Sequence, residues 1–274
     1  MSKTAAEPRL SATILLLRDA GELQVLMVKR HYEIDFASGA LVFPGGKAND
    51  EDASPDWSAL SDCEHSDEPL SVRIAAIREC YEESGILLAR HADARGAGRP
   101  LVGVDVAERL DPFRAAVDRG EQSFLQLIGD HGLVLATDTL VHFGHWITPT
   151  MMPKRFDTHF FIAATPDAQV ARQDGRETTE ATWLSADEAL RQEASGEATI
   201  IFPTRMNLKR LALASSTSDA MARFSGAPVV RVLPEVTKDE NGQPCLRIPD
   251  VEGYGQTLEP LENVKDVARP KSPG

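Results

Sequence analysis

Apolar residues fill positions 11–18 and 23–30 on either side of the polar tetrad Asp19-Ala20-Gly21-Glu22. That pattern predicts a β-hairpin. A shorter apolar run over 40–43 enters Pro44-Gly45-Gly46, which reads as a strand ending in a turn where glycine lets backbone approach a ligand closely. The spacing then changes. Leu70, Ile74, Ile77 and Tyr81 recur at helical intervals, so a helix is predicted over 70–84 with Gly85 as its C-cap. Residues 90–100 read as a loop and 105–130 as two helices parted near Gly120. Strands are expected over 139–148 and 156–164, joined by a turn-rich loop, and a loop entering another strand over 176–184. Ser185 with Glu188 forms a capping box opening a helix, and 204–224 reads as one amphipathic helix. The runs 228–233 and 245–248, linked through Asn241-Gly242, suggest a terminal hairpin. The Pro- and charge-rich stretch after it is expected to be poorly ordered.

Between Lys47 and Arg73 the chain carries eight acids and no Lys or Arg, the acids being Asp50, Glu51, Asp52, Asp56, Asp62, Glu64, Asp67 and Glu68. This segment, 47–70, is expected to be a solvated acidic loop that Trp57 and Leu60 pin to the body. It lacks the alternating ligands and central glycine of a calcium loop. The net charge of −13 would repel a nucleic-acid backbone, so DNA and RNA polymers are excluded as partners, while a small phosphorylated substrate is not. Hydrophobic content of 42% is ordinary for a globular protein. Cys63, Cys80 and Cys245 are too scattered for a disulfide framework, which fits a reducing cytoplasm. The apolar run at 12–17 is too short to span a membrane, no membrane partner is expected, and the terminal Lys-Ser-Pro-Gly is not a peroxisomal address. The composition leaves room for a homodimer.

The chemistry concentrates at Glu79, Glu82 and Glu83. On a helix these carboxylates crowd one another, and Gly85 places them in the last turn, where the helix dipole also disfavours negative charge. A bound hard cation resolves both conflicts by taking carboxylate oxygens. Arg78, beside them, is suited to orient a glutamate through a charge-assisted hydrogen bond. Arg155, at the end of the loop after Thr148, has the bidentate geometry to grip a diphosphate. His142, His145 and His159 are read as structural or as substrate contacts, because the first two are not spaced for a metal on one strand face.

The run Arg78-Glu79-Cys80-Tyr81-Glu82-Glu83-Ser84-Gly85-Ile86 resembles the second half of the Nudix hydrolase signature, with Cys80 in an apolar slot. The first half departs. Counted from Gly46, the first acid falls at Asp52, and the arginine expected at 60 stands at 78, so the box is split by 18 extra residues. Glu51, Asp52 and Glu68 are the alternatives for that acid. Trp146-Ile147-Thr148-Pro149, Arg155-Phe156-Asp157-Thr158-His159-Phe160-Phe161 and Trp183-Leu184 add to a resemblance with the Nudix branch that includes the mammalian peroxisomal coenzyme A diphosphatase.

The resemblance implies an α+β fold, an α/β/α sandwich around a mixed central sheet. The Nudix domain would span 8–226, with the acidic insert at 47–70 and a helical insertion at about 100–132 that either caps the pocket or is purely structural. Residues 227–274 would form a C-terminal hairpin and tail. It implies Mg²⁺, or Mn²⁺ in its place, on Glu79, Glu82, Glu83 and the carbonyl of Gly45. Glu82, Glu83 and Arg78 would serve catalysis, with a further carboxylate at Glu180 or Glu177. Lys29, Arg30, Phe43 and Arg155 would contact substrate. The implied reaction is hydrolysis of a diphosphate in a nucleoside diphosphate linked to X, coenzyme A or acyl-coenzyme A leading. A pyrophosphohydrolase of other nucleotides and a non-catalytic nucleotide sensor are the alternatives.

Overall fold

The computed structural model describes residues 6–31, 39–62 and 67–265. Cys63 and Glu64 of the insert, and the Pro- and charge-rich stretch from 266 onward, lie outside these residues.

The long hairpin is present as β1 (Arg9–Asp19) and β2 (Leu23–Arg30). Then come β3 (Leu41–Val42), β4 (Gly45–Lys47), α1 (Leu70–Ser84), β5 (Ala89–His91), α2 (Val104–Leu110), α3 (Arg114–Asp118), α4 (Phe124–Asp130) and β6 (Leu133–Leu135). After them run β7 (Val141–Ile147), β8 (Phe156–Ala164), β9 (Thr178–Leu184), α5 (Ala186–Ser195), α6 (Phe202–Leu211), α7 (Thr217–Phe224) and β10 (Arg231–Val232). The chain closes with β11 (Glu235–Lys238), β12 (Pro244–Arg247), β13 (Leu258–Pro260) and α8 (Leu261–Lys265).

Among the described residues, eight strands form the central sheet, ordered β10-β7-β8-β1-β2-β3, with β4 on β1 and β9 on β2. The sheet is mixed, because β1 runs parallel to β8 and β10 parallel to β7. Both faces are covered, so β1 is apolar on both sides, as a doubly buried strand must be. Ala12, Ile14 and Leu16 join Phe161 and Ala163 in a core under α1, while Leu15 and Leu17 join Phe160 and Ile162 in a core under α6 and α7. This is the expected α/β/α sandwich.

Several local expectations need correction. The acidic insert is not a solvated loop. Its 3₁₀ turns at Glu51–Ala53 and Pro55–Ser58 sink Trp57 entirely into the core, against Phe124 of α4. Asp52, Asp62 and Glu68 are buried and salt-bridged to Arg78, Arg90 and Arg73, and Glu51 bonds Ser123 and Phe124 N–H at the start of α4. Opposite charges drawn from distant segments hold these acids. The 105–130 segment is three helices, and it buttresses α1 more than it caps a pocket. Arg114 donates to the carbonyls of Tyr81 and Glu82, and Tyr81 Oη donates to that of Leu110.

Residues 89–91 pair with β6 instead of forming loop. The 204–224 helix breaks into α6 and α7, because Ser216 accepts from Asp219 N–H as a new N-cap. The terminal hairpin is β11 with β12, not 228–233 with 245–248, since Arg231 and Val232 are taken up by β7 at the sheet edge. Beyond the hairpin, Ile248, Val251 and Tyr254 are buried in the second core. Cys80 and Cys245 are free thiols.

Candidate active site

Helix α1 ends where expected. Gly85 adopts φ 75°, and its N–H donates to the Tyr81 carbonyl. The acids that the last turn carries are buried along with the guanidinium beside them, against β4 and the 3₁₀ turn that carries Asp52. Arg78 Nη1 donates to Glu79 Oε1 and to Glu82 Oε2, each at 2.9 Å. Its Nε and Nη2 donate to the two oxygens of Asp52, also at 2.9 Å, and Nη2 reaches the Lys47 carbonyl at 2.8 Å. Arg78 therefore positions acids and has no donor directed at a substrate. Of the three alternatives for the first acid, Asp52 is the one tied to this cluster.

The Pro-Gly-Gly turn is itself strand: Gly45 and Gly46 pair with Thr13 and Ala12 of β1. Gly45 N–H donates to Glu83 Oε2 at 3.0 Å. A Cβ on Gly46 would lie 2.4–2.6 Å from the Glu79 carboxylate, and one on Gly45 would lie 2.5 Å from the Ala12 carbonyl oxygen. Two glycines thus let backbone close onto the acids.

Charges this dense shift one another. Burial raises Glu79 to about 7 against the pull of Arg78. Burial, with repulsion from Glu79, raises Glu82 to about 8 against the same pull. Glu83 is pushed well above the usual carboxylate range by burial and by Glu79, with Arg30 and the Gly45 N–H opposing. Burial lowers the pKa of Arg78, but Glu79, Asp52 and Glu82 outweigh it and raise it. An all-oxygen set whose ionised form is destabilised by its own neighbours fits a hard divalent cation, the species that would stabilise that form.

The cluster opens into a cavity of about 910 Å³. Arg78, Glu79, Glu82, Gly45 and Gly46 line it, as do Arg30, Phe43 and Arg155 among the expected substrate contacts. Arg30 is the most telling, since its buried Nε has no hydrogen-bond partner among the described residues. Arg155 is less free than expected: its Nε and Nη1 donate to the carbonyls of Thr148 and Ala6. Lys29 is not in the wall.

Glu180 is one of the two loop carboxylates expected at this site. It sits exposed on β9, opposite Lys29, outside the cavity, whereas Glu177 lines it and raises the pKa of Glu79 and Glu83 by repulsion. The register of β9 shifts against β2 between Lys29 and Arg30, which pairs Glu180 with Lys29 and Thr178 with Arg30. Asp118, at the end of α3, also lines the cavity, paired to Arg176, and nothing in its local sequence signals this.

A mixed sheet between helices, with a glycine turn closing on buried glutamates, defines an enzyme of the Nudix type. The model of the NUDT19 Nudix domain matches residues 66–211, and the chain belongs to that family. It is 27% identical over 232 residues to acyl-coenzyme A diphosphatase NUDT19 of Xenopus laevis, an alignment covering 70% of this chain and 60% of that protein. The human protein of the same name is 26% identical over 281 residues, covering 88% of this chain and 75% of the relative. The chain thus spans only about 60% of the length of the frog relative. A crystal structure of a Nudix hydrolase from Alicyclobacillus acidocaldarius superposes with a TM-score of 0.68 at 28% identity, covering 81% of this chain and 99% of that one. No helix among the described residues is long and apolar enough to cross a membrane.

Proposed function

We propose that this chain is a Mg²⁺-dependent diphosphatase of coenzyme A or acyl-coenzyme A. The observation that carries the reading is the buried oxygen cluster of Glu79, Glu82 and Glu83: Glu79 and Glu82 line the cavity, Glu79 lies against Gly46, and Glu83, behind the wall, accepts from the Gly45 N–H. Those carboxylates and the Gly45 carbonyl would hold Mg²⁺ or Mn²⁺. When bound, the ion neutralises diphosphate charge and acidifies a water.

The chain's own groups do the rest. Arg78 fixes Glu79 and Glu82, so the ligand set is ordered before substrate arrives. Arg30 offers its unpartnered Nε to a phosphate oxygen. Glu177, half-buried in the wall, accepts the proton of the attacking water. Away from the acids the wall turns apolar, through Phe43, Trp146, Ile147, Phe156 and Phe202. That surface suits an acyl or pantetheine arm, and the relatives' names point to the same substrate class.

The test is a panel of coenzyme A, acyl-coenzyme A, nucleotide sugars, NADH and dinucleoside polyphosphates with Mg²⁺, read by product mass. The expected products are an adenosine bisphosphate and a phosphopantetheine or its acyl ester. Cleavage of another member with none of the coenzyme A compounds would overturn the substrate, and cleavage of none would favour a sensor.

A further inference from the structure

On the α1 face of the sheet, β7 and β8 bring histidines together that their spacing in sequence separates. His145 lies directly opposite His159, and Asp157 lies two residues from His159 on the same face. The ladder shifts register between His142 and Gly144, and this irregularity swings His142 onto the same side. Its ring stacks on His159 with centroids 5.0 Å apart, and that of His145 does so at 4.1 Å. The sequence argument that His142 and His145 share no face assumed an unbroken strand.

The polar atoms converge. His145 Nε2 is 2.5 Å from Asp157 Oδ1. His159 Nδ1 faces His142 Nε2 at 3.1 Å, and His142 Nδ1 lies 3.4 Å from Glu68. One ligand atom each from His145, Asp157 and His159 falls within 4.8 Å of the other two. A tetrahedral ion with bonds near 2.0–2.1 Å sets its ligands about 3.4 Å apart, so the set closes once the stacked rings turn toward a common point. His159 is buried between the rings of His142 and His145. Through His142, Glu68 supplies the carboxylate that commonly orients a metal-binding imidazole from behind.

We propose that His145, Asp157 and His159 form a second metal site, for Zn²⁺ or a similar divalent transition metal, with water in the fourth position. None of these residues lines the cavity, and Asp157 and His159 point away from Phe156 and Thr158, which do. The donor set also differs in kind. Two imidazoles and one carboxylate select Zn²⁺, Co²⁺ or Ni²⁺, whereas the glutamate cluster is all oxygen.

The test titrates the full chain with Co²⁺ in millimolar Mg²⁺, read by visible absorption, with Zn²⁺ as competitor. One tetrahedral Co²⁺ per chain is expected, displaced by Zn²⁺. Affinity should fall at least about tenfold in His145→Asn and in Asp157→Asn, each checked as folded by circular dichroism, and should be unchanged in Glu82→Gln. Absence of the absorption band in the wild type would overturn the site. So would a band that survives both substitutions or disappears in Glu82→Gln.

Discussion

Arg78 holds Asp52, Glu79 and Glu82 at 2.9 Å, all of them buried, so its removal leaves buried carboxylates uncompensated. Arg78→Gln is expected to destabilise the metal-free protein by about 3–5 kcal/mol, measured by urea melts. A loss under about 1 kcal/mol would show that solvent reaches the cluster. Glu82→Gln and Glu83→Gln keep shape and remove charge. Each should lower hydrolysis by about a hundredfold or more with the fold intact, and full turnover at saturating Mg²⁺ would sink the metal assignment. The loop carboxylates separate cleanly. Glu177→Gln should reduce kcat by about 10²–10⁴, while Glu180→Gln should leave it unchanged, because only the former faces the cavity. At this scale the sequence was legible where charge conflicted with local structure, as at the end of α1. It was silent on Asp118 and left Glu177 and Glu180 as equals, because their places depend on how separate segments pack.

The element that matters most is the short strand β4. Gly45→Ala drives a Cβ into the Ala12 carbonyl and the Thr13 Cα, both backbone, so the strand must move and stability should fall. Gly46→Ala meets only the Glu79 carboxylate, a side chain that can swing. It should spare the melting temperature and weaken Mg²⁺ binding. Thermal melts with and without Mg²⁺ distinguish the two, and equal losses of stability would refute the difference. Hairpin, signature helix and capping box were readable because each is set by local pattern. The register shift at His142, the break between α6 and α7 and the uptake of Arg231–Val232 by β7 were not, since tertiary partners decide them.

For the whole molecule, the raised acids couple folding to pH. Their folded values, about 7 for Glu79 and about 8 for Glu82, exceed the ordinary 4.5. Between those limits the native state keeps protons that the unfolded chain has lost, so metal-free stability falls as pH rises from about 4.5 to about 8. Mg²⁺ should raise the melting temperature more at pH 8 than at pH 5, and Glu82→Gln should flatten the decline. A metal-free melting temperature rising across that range would contradict the buried cluster.

The bond between Asp52 and Arg78 also says how a signature tolerates interruption. The unsplit pattern sets these partners 8 residues apart; here they are 26 apart. Closing the longer ring adds only about 1 kcal/mol of chain entropy, because that term grows with the logarithm of length. Sinking Trp57 returns about 1.5–3 kcal/mol. An inserted segment that brings its own anchor is therefore close to thermodynamically neutral, and this position on the scaffold is open to variation in length without loss of the bond that spans it.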